Sequence, residues 1–184
     1  MNNTDGFIKS VQNSFILAIL SVVIQLPLSL VLALILARGI KGEGFFRTVY
    51  FIPVIISTVV IGQLFMKIYN PDYGMLNIIL KNIGLGKYAN AWLADTKTAL
   101  FATFIPIIWQ YVGYHMLLMY AAIKSVSEDI YEAAKIDGAS AFTMAIHITI
   151  PLIKPILQVC TVFAVVGSFK AFDLIYVLTN GGPL

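Results

Sequence analysis

Charged residues cluster along this chain, and the long stretches between clusters carry none. Residues 10–37, 48–66, 98–123 and 155–169 contain no Asp, Glu, Lys or Arg, and the last run continues past Lys170 and Asp173 to Leu178. A helix of roughly 20 such residues crosses the hydrocarbon core of a bilayer. The pattern predicts about four transmembrane helices, near 14–37, 48–67, 98–122 and 152–179, in one domain covering 1–184. The fold class is an all-α membrane protein, a polytopic helical bundle. Each expected span holds a proline: Pro27, Pro53, Pro106 and Pro155. Proline removes a backbone donor and bends a helix unless it lies near the first turn. Prolines are frequent in membrane helices generally, but one in every span favours a transporter or channel.

Composition sharpens this picture. The chain is 59% hydrophobic and 11% charged, whereas soluble domains carry about a quarter charged residues. The first apolar run is too long for a cleavable signal peptide and has no basic region before it. Cys160 is the single cysteine, which excludes an internal disulfide and a cysteine metal cage; it reads as a small core-packing thiol. A net charge of +3 does not suggest nucleic acid. The short connection "RGIKGEGFFR" holds Arg38, Lys41 and Arg47, and short basic loops stay in the cytoplasm. Segment 124–150 then lies on the same inner side. Segment 68–97 and both termini face outward, although Lys81, Lys87 and Lys97 lie in that outer segment.

The inner segment contains "IYEAAKIDGAS" at 130–140, a polar stretch between apolar runs. Ser125 with Glu128 fits a capping box, and Ser127 could cap equally well. Glu128 and Asp129 suit the first turn of a helix, and Gly138 suits its end. At helical spacing Val126, Ile130, Ala133 and Ala134 share a stripe, with Glu128, Glu132 and Lys135 opposite. Such a short helix either lies on lipid headgroups or docks another protein. Its polar face is net acidic, whereas interfacial helices are usually basic there, which favours docking.

The stretch "EAAKIDGASAFTMAIHITIP" also resembles the cytoplasmic signature of binding-protein-dependent ABC import permeases. Glu132, Ala133, Ala134, Gly138, Ile148, Ile150 and Pro151 keep the spacing, with Ile150 standing where that pattern has leucine. "YFIPVIIS", "YGMLN", "IWQYVGY" and "FKAFDLIYVLTNGGP" are similar to the maltose and multiple-sugar permeases, so the resemblance covers nearly the whole chain. It implies a multi-pass subunit of the cytoplasmic (inner) cell membrane that imports a small solute, a sugar or oligosaccharide. The short helix becomes a coupling helix within a cytoplasmic loop near 124–150. Glu132 would pair with a basic group on an ATPase, Ala133 and Ala134 would permit a close fit, and Gly138 would turn the chain. Asp137, Ile148 and Pro151 complete the coupling set. The implied partners are cytoplasmic ABC ATPase subunits, a second related permease subunit, an extracellular or periplasmic solute-binding protein and the lipid bilayer. No cofactor is expected on this chain, with ATP and magnesium on the partner ATPase. Accordingly the nearest phosphate-loop fragment, "GLGKY" at 84–88, has tyrosine where Ser or Thr must reach magnesium. The resembled proteins carry a helix before the first span and another after "TNGGPL", so the chain reads as truncated at both ends.

Ionisable groups within a span cost about 2.5–3.5 kcal/mol at its centre. Lys170 and Asp173, three apart, could pair on one helix face, flanked by Phe169 and Phe172. They either line a solute path or snorkel to the outer surface. Trp109, Gln110, Tyr111, Tyr114 and His115 either line a cavity or pack between helices. His115 and His147 lie on different segments, so no metal site is expected. Two readings of other classes remain: a non-transporting membrane scaffold fragment, or an intramembrane enzyme using Asp173, His115 or Glu132. The enzyme reading needs those three in one water-accessible cavity, and their expected depths disagree.

Overall fold

The computed structural model describes residues 3–180, except for the side chains of residues 3–7 and of Phe172. Among the described residues every regular element is helical. In chain order these are α1 (Asn3–Leu20), α2 (Leu26–Ala37), α3 (Glu43–Ile55), α4 (Thr58–Ile68), α5 (Met75–Asn82), α6 (Ala99–Lys124), α7 (Glu128–Ile136), α8 (Ala141–Met144), α9 (Ile150–Leu152), α10 (Lys154–Phe169) and α11 (Phe172–Thr179). Two helices, Ile8–Ala37 and Ala99–Lys124, are long and apolar enough to cross a membrane alone. Two bent pairs raise the total to four when each pair is taken as one span: α3 with α4, bent by 96°, and Ala141–Leu152 with α10, bent by 73°.

The prolines explain much of this division, and not by bending alone. A proline ring clashes with the carbonyl four residues before it. Ahead of Pro27 the chain widens into a π turn over Ser21–Gln25, where Leu26 N–H donates to Ser21 O. The same device recurs ahead of Pro151, with a π turn over Ala145–Thr149 and Ile150 N–H donating to Ala145 O. The wider turn moves the obstructing carbonyl aside, so Ile8–Ala37 stays one continuous helix. The bend expected at Pro27 is therefore absorbed. Pro106 sits inside the uninterrupted α6. The breaks fall elsewhere, at residues 56–57 just after Pro53 and at Ile153 just before Pro155.

The single fourth helix expected over 152–179 is corrected. The α10 helix ends at Phe169, a turn occupies Lys170 and Ala171, and α11 starts afresh at Phe172. Segment 68–97, read from sequence as a loop, holds the helix α5 and a 3-10 turn at Gly86–Tyr88.

The chain forms two compact units. The first comprises Met1–Ala18, Ile55–Gln110 and Gly167–Leu184. In it α4 and α11 pack closely at Gly62, where a Cβ would lie 2.5 Å from Val177 Cγ1. Ile61, Phe65, Leu174 and Leu178 are buried beside that contact. The segment leaving α4 is tied by side chains. Asn70 Oδ1 accepts from the N–H groups of Asp72 and Tyr73. Asn77, only 3% exposed, donates to Pro71 O and Asn90 O and accepts from Asn90 N–H and Trp92 Nε1.

The second unit comprises Ile19–Val54 and Tyr111–Val166. Its core contains Leu26, Ala33 and Leu36 of α2, Met116, Met119 and Ile123 of α6, and Cys160 and Ala164 of α10. Cys160 is fully buried among them, matching its expected packing role. Ser29 Oγ lies 2.8 Å from Gln25 O and 3.0 Å from Val112 O, linking α2 to α6. At Gly113 the Tyr50 carbonyl of α3 comes so close that a Cβ would collide with it.

Candidate functional site

The polar connection between α6 and α10 is built around α7. Its N-cap is Ser127, in extended geometry at φ −59° and ψ 137°. Glu128 and Asp129 occupy the first turn, where the helix dipole favours acids. The capping box from Ser125 does not form, because Ser125 Oγ donates to Ala122 O at the end of α6. Ser127 Oγ bonds Asp129 Oδ2 at 3.2 Å rather than a backbone N–H. Gly138, at φ +79°, ends the helix as expected. Ala139 N–H reaches Ala134 O at 2.9 Å and Gly138 N–H reaches Lys135 O at 3.0 Å, the paired bonds of a Schellman motif. Ser140 Oγ then accepts from Thr143 N–H and caps α8.

This geometry divides the expected apolar stripe. Val126 lies in the bend before α7 and packs half-buried on the second unit's core. Counting helical angles from it therefore misplaces the stripe. Ala134 is 7% exposed and turned inward, while Glu132, Ala133, Lys135, Asp137 and Gly138 are exposed. Ile136 at 87% and Phe142 at 75% stand almost free of the chain. The Tyr131 hydroxyl meets Thr149 Oγ1 at 3.1 Å, bracing α7 against the second π turn. Ile148 is half-buried there, and Pro151 is exposed on α9. The site is thus a helix closed at its C-terminal end, offering an acid, an alanine and a glycine turn, with Ile136 and Phe142 as exposed apolar side chains beside them.

Sequence reasoning missed the support beneath α6. The Tyr120 hydroxyl donates to Glu43 Oε1. Arg47 lies 4.0 Å from the same carboxylate and stacks 4.8 Å from the Tyr120 ring centre. The Glu43–Arg47 spacing of four residues was the available signal.

The residues expected along a solute path divide between the units. Trp109 packs on Phe65 with ring centres 5.8 Å apart. Gln110, 2% exposed, donates from Nε2 to Ile56 O at 3.4 Å, across the break between α3 and α4. Its Oε1 is buried without a partner. Phe169 is 48% exposed and meets Phe15 edge-on. Lys170 and Asp173 are exposed and make no ion pair with each other; the break at Lys170 takes them off a common helix face. The Phe172 side chain lies outside the described residues. Tyr114 belongs to the second unit, between His115 and Phe163. Among the described residues no three of His, Cys, Asp and Glu gather to hold a metal.

Residues 25–184 match the family model described as "Binding-protein-dependent transport system inner membrane component". The chain is 40% identical to the probable ABC transporter permease protein YurN of Bacillus subtilis over 179 residues, covering 96% of this chain and 61% of that one. It is 38% identical to the trehalose/maltose transport system permease protein MalF of Thermococcus litoralis, covering 89% and 55%. With the diacetylchitobiose uptake system permease protein NgcF of Streptomyces coelicolor the identity is 34%, covering 100% and 55%. The chain thus spans between 55% and 61% of the length of these relatives. Among solved structures, a chain of a bacterial alginate ABC transporter, in complex with an alginate pentasaccharide-bound periplasmic protein, superposes with a TM-score of 0.84 at 27% identity. That match covers 97% of this chain and 64% of that one. With the spacing of its signature kept on the exposed face of α7 and the family model matching from residue 25 onward, this chain belongs to the inner membrane components of binding-protein-dependent transport systems.

Proposed function

We propose that this chain is a multi-pass permease subunit of the cytoplasmic membrane, in an ATP-driven importer of a sugar or oligosaccharide. The observation that carries the reading is α7. Glu132, Ala133, Asp137 and Gly138 are exposed on a helix closed at its C-terminal end by the Gly138 stop and braced through Tyr131 to Thr149, so force applied there reaches the bundle. Glu132 pairs with a basic group in a cleft of a cytoplasmic ATPase, a charge-assisted bond worth about 1.5–3 kcal/mol. Ile136 and Phe142 supply apolar contact, and Ala133 lets the two surfaces approach. Nucleotide and magnesium stay on that ATPase. A second related permease completes the pore, and a solute-binding protein delivers the ligand from outside.

The chemistry performed by this chain is mechanical. Closure of the ATPase pair moves α7, and Tyr131 passes that movement to the π turn and α10 through Thr149. The relatives' names support a carbohydrate cargo: trehalose or maltose for one, diacetylchitobiose for another. The test is Glu132→Lys at matched membrane levels. It should lose ATPase copurification and solute uptake while remaining inserted. Undiminished uptake would overturn the coupling role.

A further inference from the structure

Helix α5 is apolar on the side it turns away from its own unit. Leu76, Asn77 and Leu80 face inward, and Asn77 is held by four hydrogen bonds. Outward stand Met75 at 56%, Ile78 at 45%, Ile79 at 46% and Ile83 at 61% exposure. A helix apolar on both faces is a buried helix, so this face needs a cover. We propose that the cover is the bilayer itself: α5 is an interfacial helix lying in the outer leaflet, with its isoleucines in the acyl boundary.

Two observations choose lipid over protein. The first is continuity with the lipid-facing surface. The segment after α5 is bound to the start of α6 by Trp92 Nε1 to Asn77 Oδ1 at 2.7 Å and Thr98 Oγ1 to Trp92 O at 2.9 Å. Just beyond Thr98, Phe101 and Ile105 of α6 are 57% and 52% exposed, as suits side chains facing acyl chains. The helix is therefore held at the depth where α6 enters the membrane. The second is charge. Lys81 and Lys87 are exposed beside the isoleucines, and Lys87 Nζ lies 4.9 Å from the Tyr88 ring centre. Lysines and tyrosines at this level suit phosphate headgroups and the membrane–water boundary.

This inference stands apart from the transport reading, because it concerns depth in the membrane and not cargo. Its test uses the full chain in liposomes with the subunits that copurify with it. Ile79→Cys, Ile83→Cys and Thr96→Cys are spin-labelled separately, with the buried native Cys160 serving as the unlabelled blank. Collisions with dissolved oxygen and with a water-soluble nickel chelate are then compared. Labels at 79 and 83 should meet oxygen several-fold more, and nickel several-fold less, than the label at 96. Nickel access equal to that at 96 would show a water-exposed face and overturn the proposal. Exclusion of both probes would show a protein cover and overturn it equally.

Discussion

At the scale of single residues, space decides more than chemistry. Gly113 lies where the Tyr50 carbonyl presses on α6, and a methyl group there must push α3 away. Gly113→Ala should therefore cost about 1–3 kcal/mol, as overpacking does, measured by thermal unfolding in detergent. Gly167 provides the control, since nothing lies within 4 Å of its added Cβ. Gly167→Ala should be neutral or stabilise by about 0.5–1 kcal/mol, the usual gain of replacing a helical glycine. Equal losses from both would contradict the close approach at Gly113. None of this is legible in the chain, because glycine in an apolar run looks the same whether crowded or free.

At the scale of elements, end caps and tethers set which pieces hold their shape. In α7 the stop at Gly138 needs φ +79°, a conformation costing other residues roughly 1–2 kcal/mol. Gly138→Val should open the bonds from Ala139 and Gly138, seen as faster amide exchange at 138–139 with α6 unchanged. In the outer segment Asp95 Oδ1 accepts from Lys97 N–H at 2.9 Å and Oδ2 from Asn90 Nδ2 at 2.8 Å. These bonds, the Lys97 N–H first, hold the Asp95 carboxyl below its ordinary value. A lowered pKa in the folded state means that the carboxylate contributes stability above its unfolded pKa. That contribution is lost as pH falls through the folded value. Acidification below the usual carboxylate range should thus increase protease cleavage between Asn90 and Thr98, and Asp95→Asn should flatten that pH dependence. The helix stop at Gly138 is visible in sequence as a glycine after a charged stretch. The Asn77–Trp92 tether is not, because its partners lie 15 residues apart on a segment without periodicity.

At the scale of the whole molecule, topology ties the site to its setting. The positive-inside tendency of Arg38, Lys41 and Arg47 predicts that the connection before α3 lies inside, with α7 on the same side two crossings later. An impermeant maleimide should therefore label Ile136→Cys only in inverted vesicles, and Thr96→Cys only in right-side-out ones. Labelling of Ile136→Cys from the outer side would refute the orientation and the coupling role together. The apolar runs and the polar helix α7 were readable because each follows from local composition: uncharged stretches of membrane length, and a polar insert with a recognisable spacing. The internal breaks were not. Pro27 and Pro151 are accommodated by π turns, whereas the chain breaks after Pro53 and before Pro155.

The sequence alone determined that this is a helical membrane protein of uncharged apolar runs, and which short polar segment carries an acid and a glycine stop. Those properties come from hydrophobicity and local backbone preference, which act residue by residue. Only the tertiary structure decided that Ala134 turns inward while Ala133 stays exposed, that Lys170 and Asp173 do not pair, and that α5 carries its isoleucines outward. Each of these depends on which elements meet. A chain of apolar helices leaves that question open, because leucine and isoleucine suit a helix partner and a lipid tail equally well.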